Sequence, residues 1–213
     1  MRSTLTSFCF VFLLFSQISK AENTQVLLQT DLGNIRIELY ESLAPITVKN
    51  FLTYVDSGFY NGTIFHRIVP GFVVQGGGYT FDFAEKKTNP EIKNESDNGL
   101  NNDYKTIAMA RTANPDSASS QFYFNLKDNP SLNAHGDAHG YTVFGRVIDG
   151  MDIVEKIAQE PTGMFKSFPE APNYAVRILT AKRVTAGSIT NPAPVKSPLE
   201  NSRIKDAIIS KPQ

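Results

Sequence analysis

Residues able to do chemistry are few in this chain. Its 213 residues hold three histidines and one cysteine. His135 and His139 stand four apart, the spacing of two zinc ligands on one helix face. Gly136 and Gly140 make that stretch a loop, however, and no cysteine or third histidine is near it, so no metal site is expected there. Gly76-Gly77-Gly78 has the glycines of a phosphate cradle but lacks the Gly-Lys-Ser/Thr that would complete one, and reads as a tight bend. What remains is a dense segment from Phe65 to Gln75, in which Arg67 and His66 adjoin among apolar residues. An arginine seen alone would be read as an ion pair at the surface or core edge, so its meaning depends on the elements around it.

Those elements are mostly short strands. Gln25 to Thr30 and Asn34 to Tyr40 read as two strands joined by a turn at Asp31-Leu32-Gly33, the second alternating Ile35, Ile37 and Leu39 with polar residues. Pro45 opens a helix carrying Val48, Phe51, Leu52 and Val55 at helical spacing, and Gly58 stops it. From Thr63 to Phe83, β-branched and aromatic residues broken by glycine predict short strands with sharp bends. A long polar loop fills Phe81 to Tyr104. Strand signal returns at Thr106 to Arg111, Gln121 to Asn125, Thr142 to Val147 and Tyr174 to Val184, with a second helix at Met151 to Gln159. This order fits a closed antiparallel barrel capped by helices, which pattern alone does not separate from a sandwich.

The run Phe65-His66-Arg67-Ile68-Val69-Pro70-Gly71-Phe72-Val73-Val74-Gln75-Gly76-Gly77 resembles the cyclophilin signature nearly position for position. Met109-Ala110-Arg111, Ser120-Gln121-Phe122-Tyr123 and Val143-Phe144-Gly145 leading to Gly150-Met151 extend the likeness in order. It covers Val26 to Val184 and looks most similar to the bacterial periplasmic cyclophilins. The resemblance implies a mainly β fold, a closed eight-stranded antiparallel barrel capped by two α-helices. It also implies peptidyl-prolyl cis/trans isomerase activity without cofactor or metal.

The implied reaction rotates an X–Pro amide over a barrier of roughly 18–20 kcal/mol and breaks no bond. It therefore needs no nucleophile or acid–base pair, and His66 beside Arg67 is expected to be structural. A guanidinium is suited to donate to the prolyl nitrogen, which becomes an acceptor as amide resonance is lost. By resemblance Arg67 and Gln75 are the catalytic residues. Phe72, Val73, Tyr123 and Leu132 line the proline pocket, Gln121 helps hold Arg67 and the peptide, and Ala110 and Arg111 flank the substrate backbone. Phe72 and Tyr123 would also serve ordinary barrel packing.

Two positions depart from the family. Ser131 stands where a tryptophan is common and Tyr141 where a histidine is common. Tyr141 still offers a hydroxyl over an aromatic wall. The missing indole implies weak cyclosporin affinity with isomerase activity retained. An alternative function is a proline-peptide binding module or holdase with little turnover, but such a binder would be free to lose Arg67, Gln75 and Gln121, and all three are present.

Composition frames the rest. With 21 basic and 21 acidic residues the chain has no general field to attract nucleic acid. Arg2, an apolar run from Phe8 to Phe15 and Ser19-Lys20-Ala21 have the layout of a secretory signal peptide over residues 1–21, cleaved after Ala21. The apolar run is far shorter than the roughly 20 residues of a spanning helix, so no stable membrane insertion is expected. Cleavage removes Cys9 and the cations Arg2 and Lys20, leaving 19 basic residues against 21 acidic. A thiol-free chain suits an oxidising periplasm or the medium outside the cell. Residues 22–184 form the isomerase domain, and Thr185 to Gln213, with Pro192, Pro194 and Pro198, read as a flexible tail. The expected partners are proline-containing polypeptides in unfolded or exposed segments, met by a monomer.

Overall fold

A computed structural model describes residues 23–185. The expected signal peptide, and the expected tail beyond Thr185, lie outside the described residues. Strands β1 (Gln25–Thr30) and β2 (Gly33–Leu39) form an antiparallel hairpin in which Ile35, Ile37 and Leu39 are fully buried and the residues between them half-buried. Asp31 in its turn accepts hydrogen bonds from the Arg177 backbone amide and guanidinium at 2.8–3.0 Å, tying the hairpin to a segment 146 residues away.

Helix α1 (Pro45–Asp56) begins without a side-chain cap of its own. The Glu95 carboxylate supplies one from the long loop, accepting from the amides of Ile46 at 3.1 Å and Thr47 at 2.8 Å, which meets two donors the helix cannot satisfy itself. Strands β3 (Thr63–Val69) and β4 (Val73–Thr80) follow, then β5 (Thr106–Met109), β6 (Phe122–Asn125), a short 3-10 helix (Pro130–Leu132) and β7 (Val143–Asp149). Helix α2 (Met151–Ala158), strands β8 (Thr162–Phe165) and β9 (Phe168–Pro172), and strand β10 (Ile178–Val184) complete the order.

Eight strands form one antiparallel sheet in the order β10-β1-β2-β7-β5-β6-β4-β3. Its two edges meet through a single Ile64–Arg177 bridge, with Gly62 N–H donating to the Ile178 carbonyl at 2.8 Å and Phe65 N–H to Val176 at 3.0 Å. The eight antiparallel strands and two helices match the expectation; the seam is looser than a full closed ladder. Inside, α1 inserts Phe51 among Tyr60, Phe122 and Phe144, with ring centroids 5.1–5.6 Å apart. Helix α2 adds Met151, Val154 and Ile157 to the same core.

The β8–β9 hairpin is not foreseen in the sequence, and the last strand starts at Ile178 rather than Tyr174. Pro161, Pro169 and Pro172 break the strand pattern there, and Lys166 makes the turn with a φ of 49°. Tertiary contact stabilises the hairpin instead. Phe165 and Phe168 pack on Phe83 at 4.7 and 5.1 Å, Phe168 also meets Tyr79 at 5.0 Å, and Ala171 is buried.

Candidate active site

Strand register assembles the site. Arg67 in β3 pairs with Gln75 in β4, Gln75 pairs with Tyr123 in β6, and Tyr123 pairs with Ala108 in β5. Cross-strand partners share a face, so a cation, an amide and an aromatic ring line up along one row of the sheet. Arg67 Nη1 donates to Gln75 Oε1 at 3.5 Å, and Gln75 Nε2 donates to Gln121 Oε1 at 2.9 Å. Gly78 makes room for this relay, because a Cβ there would stand 2.6 Å from Gln121 Cγ.

Beside the row, Val73, Ala108, Tyr123 and Val143 form a small buried cluster apart from the main core, with Phe72, Leu100, Ala110, Leu132 and Tyr141 half-buried around it. Above this apolar floor lies a cavity of about 360 Å³ lined by Arg67, Phe72, Val73, Gln75, Ala110, Arg111, Tyr123, Leu132 and Tyr141. Nine of the ten residues expected from the sequence therefore converge on one recess. Gln121, the tenth, lines an adjoining cavity of about 300 Å³ that shares Gln75, Ala110 and Arg111.

Three supports were not legible beforehand. Asn102, fully buried within the polar loop, accepts from the Tyr123 hydroxyl at 2.7 Å and donates to the Leu132 and Tyr141 carbonyls at 3.2 and 3.3 Å. One amide thus pins three pocket residues, yet nothing in Asn101-Asn102-Asp103 marks it out. Arg111 is itself tied down: it donates to the carbonyls of Thr112, His139 and Gly140 at 2.8–3.1 Å, and its guanidinium lies 4.5 Å from the Tyr141 ring centroid. Glu170, on the unforeseen hairpin, accepts from Arg67 Nε at 2.7 Å.

His66 is buried against Tyr79 and Phe168. Burial chiefly, and then the neighbouring Arg67 charge, push its pKa down from 6.5 to about 4 against a hydrogen bond with Gln121 that works the other way. It is neutral at neutral pH and does not line the cavity. Burial likewise raises the Tyr123 hydroxyl well above its ordinary range, so it acts as a hydrogen-bond donor rather than an anion. His135 and His139 join no group of ligands, since no metal-binding cluster occurs among the described residues.

An eight-stranded antiparallel barrel carrying an apolar recess with an arginine at its rim defines an enzyme of the cyclophilin class. Residues 25–183 match the family described as Cyclophilin type peptidyl-prolyl cis-trans isomerase/CLD, and the chain belongs to that family. Similar proteins include a peptidyl-prolyl cis-trans isomerase of Acinetobacter baylyi, 53% identical over 75% of this chain and 85% of its own length. Isomerase A of Dickeya dadantii is 51% identical over 75% and 84% of the two chains. Isomerase B of Escherichia coli is 47% identical over 72% and 95%. A crystal structure of a Cryptosporidium parvum cyclophilin-type isomerase superposes with a TM-score of 0.64 at 27% identity, covering 76% of this chain and 98% of that one. The same protein was solved in the presence of the dipeptide Ala-Pro. Family and relatives together make this chain a peptidyl-prolyl cis-trans isomerase.

Proposed function

We propose that the recess of about 360 Å³ is the isomerase active site, with Arg67 and Gln75 catalytic and the proline ring held by Phe72, Val73, Tyr123 and Leu132. Ala110, Arg111, Gln121 and Tyr141 bound the path of the substrate backbone. The observation that carries this reading is the setting of Arg67 at an apolar pocket's rim. Glu170 takes its Nε and Gln75 its Nη1, which leaves Nη2 for a substrate.

In the planar amide the prolyl nitrogen lone pair is delocalised; in the twisted amide it is localised and can accept a hydrogen bond. Arg67 therefore binds the twisted state better than either planar isomer, which is the condition for catalysis. A charge-assisted hydrogen bond of about 1.5–3 kcal/mol accounts for roughly ten- to hundred-fold. The apolar floor contributes further by taking the amide out of water, since the planar, more polar ground state loses more on desolvation. The Ala-Pro dipeptide present with the solved relative supports a proline-sized ligand.

The substrates in this reading are exposed X–Pro segments of exported polypeptides, whose folding the enzyme assists as a monomer in the periplasm. The signal-peptide layout of residues 1–21 supports that location. A protease-coupled assay on a proline tetrapeptide tests the catalytic reading: Arg67→Ala should lose about ten- to hundred-fold in kcat/KM. No acceleration by the wild type, or full activity in Arg67→Ala, overturns it and leaves the holdase alternative. Fractionation of the producing cell should recover a chain beginning at Glu22 in the periplasm, sized as a monomer by light scattering; an uncleaved chain in the cytoplasm overturns the location.

A further inference from the structure

We infer that Glu170 is a positioning residue for the isomerase reaction, acting through Arg67. This rests on the catalytic reading of Arg67 given above. The Glu170 carboxylate and the guanidinium meet through a single 2.7 Å hydrogen bond at Nε, with both side chains somewhat over one-third exposed. An ion pair so exposed adds little to stability. Its geometry has a different consequence. A free arginine turns about each of its side-chain torsions, and a guanidinium held only by the 3.5 Å contact from Nη1 to Gln75 would swing away from the pocket. Binding at Nε, the nitrogen nearest the chain, fixes the plane of the fork and spends the one donor that points back along the side chain. With Nη1 directed at Gln75, Nη2 is left for a ligand in the cavity that Arg67 lines.

The hairpin that carries Glu170 is built to hold it there. Phe168 and Glu170 lie two residues apart on β9 and so share a face. Phe168 packs on His66 at 5.9 Å while Glu170 bonds the adjacent Arg67, so the same two positions of β9 grip successive residues of β3. Ala171 is buried against Ile64 and Phe83, completing the anchor. The β8–β9 hairpin thus sets the catalytic cation from 103 residues away in sequence.

Glu170→Ala should lower kcat/KM about three- to ten-fold, the loss expected when a fixed side chain regains a few rotamers. The dissociation constant of a proline peptide, measured by NMR titration, should move less than about two-fold because the apolar floor is intact. Glu170→Gln should recover much of the activity, since its amide oxygen can accept the same hydrogen bond. In the wild type the Arg67 Nε–Hε resonance should be shifted downfield and slow to exchange, and should lose both properties in Glu170→Ala. In an Arg67→Ala background, Glu170→Ala should change nothing further. Activity of Glu170→Ala equal to or above wild type, or the same fold-loss with Arg67 absent, overturns the inference while leaving the isomerase reading intact. A wild type without turnover sinks both.

Discussion

Acidification should weaken the fold through His66, because burial disfavours its protonated form. The folded chain keeps this imidazole neutral down to about pH 4, because it is desolvated and lies beside the Arg67 charge. Its Nδ1 finds no hydrogen-bond partner that could stabilise a proton. In the unfolded chain the same group titrates near 6.5. Between those values the unfolded state binds the extra proton, so stability is complete above about pH 6.5, falls as pH drops towards about 4, and levels off below. Each pH unit in the window is worth about 1.4 kcal/mol, which makes the whole contribution roughly 3 kcal/mol. His66→Phe keeps an aromatic ring against Tyr79 and Phe168 but cannot charge. Urea unfolding of both proteins from pH 7 to pH 4 gives the difference directly, with the carboxylates common to both cancelling. The wild type should lose roughly 3 kcal/mol more than the variant over that range. Parallel stability curves would refute the burial argument. Since rotation about the amide moves no proton, kcat/KM should stay flat from pH 6 to 8 in both.

Cyclosporin should bind weakly, and Ser131→Trp should tighten it at least several-fold, because Ser131 lies exposed on the short helix that carries Leu132 into the pocket; tight inhibition of the wild type in a titration would contradict this. Asn102→Ala should cost about 2–4 kcal/mol by stranding the Tyr123 hydroxyl and two carbonyls, with a lower thermal midpoint and reduced kcat/KM. A variant as stable as the wild type would show that the amide is dispensable. Deleting Thr185 to Gln213 removes nothing from β10, which ends at Val184, and should leave turnover on short peptides intact; a collapse in activity would move the domain boundary.

Much of the fold was readable wherever local pattern and tertiary demand agree. The alternation of Ile35, Ile37 and Leu39 and the helical spacing of Val48, Phe51, Leu52 and Val55 each record a single buried face. Resemblance carried the pocket residues, because the segment from Phe65 to Gln75 contains the cation, part of the floor and the relay amide in one β3–β4 unit. The β8–β9 hairpin escaped because β8 is only four residues long and follows Pro161, and β9 contains Pro169 and Pro172; aromatic contacts with Phe83 and Tyr79 hold it, and those are not local.

By itself, then, the sequence pointed through its resemblance to the class of fold, to the reaction and to Arg67 as the cation proposed to serve it. Periodicity and a contiguous motif are written along the chain. Only the tertiary structure decided which polar partners meet that cation and its pocket: Glu170 reaching Arg67 across 103 residues, and Asn102 joining Tyr123, Leu132 and Tyr141. Polar partners of this kind are chosen by distance and direction in the folded chain. A glutamate on an irregular strand and an asparagine among asparagines leave no periodic trace of that choice.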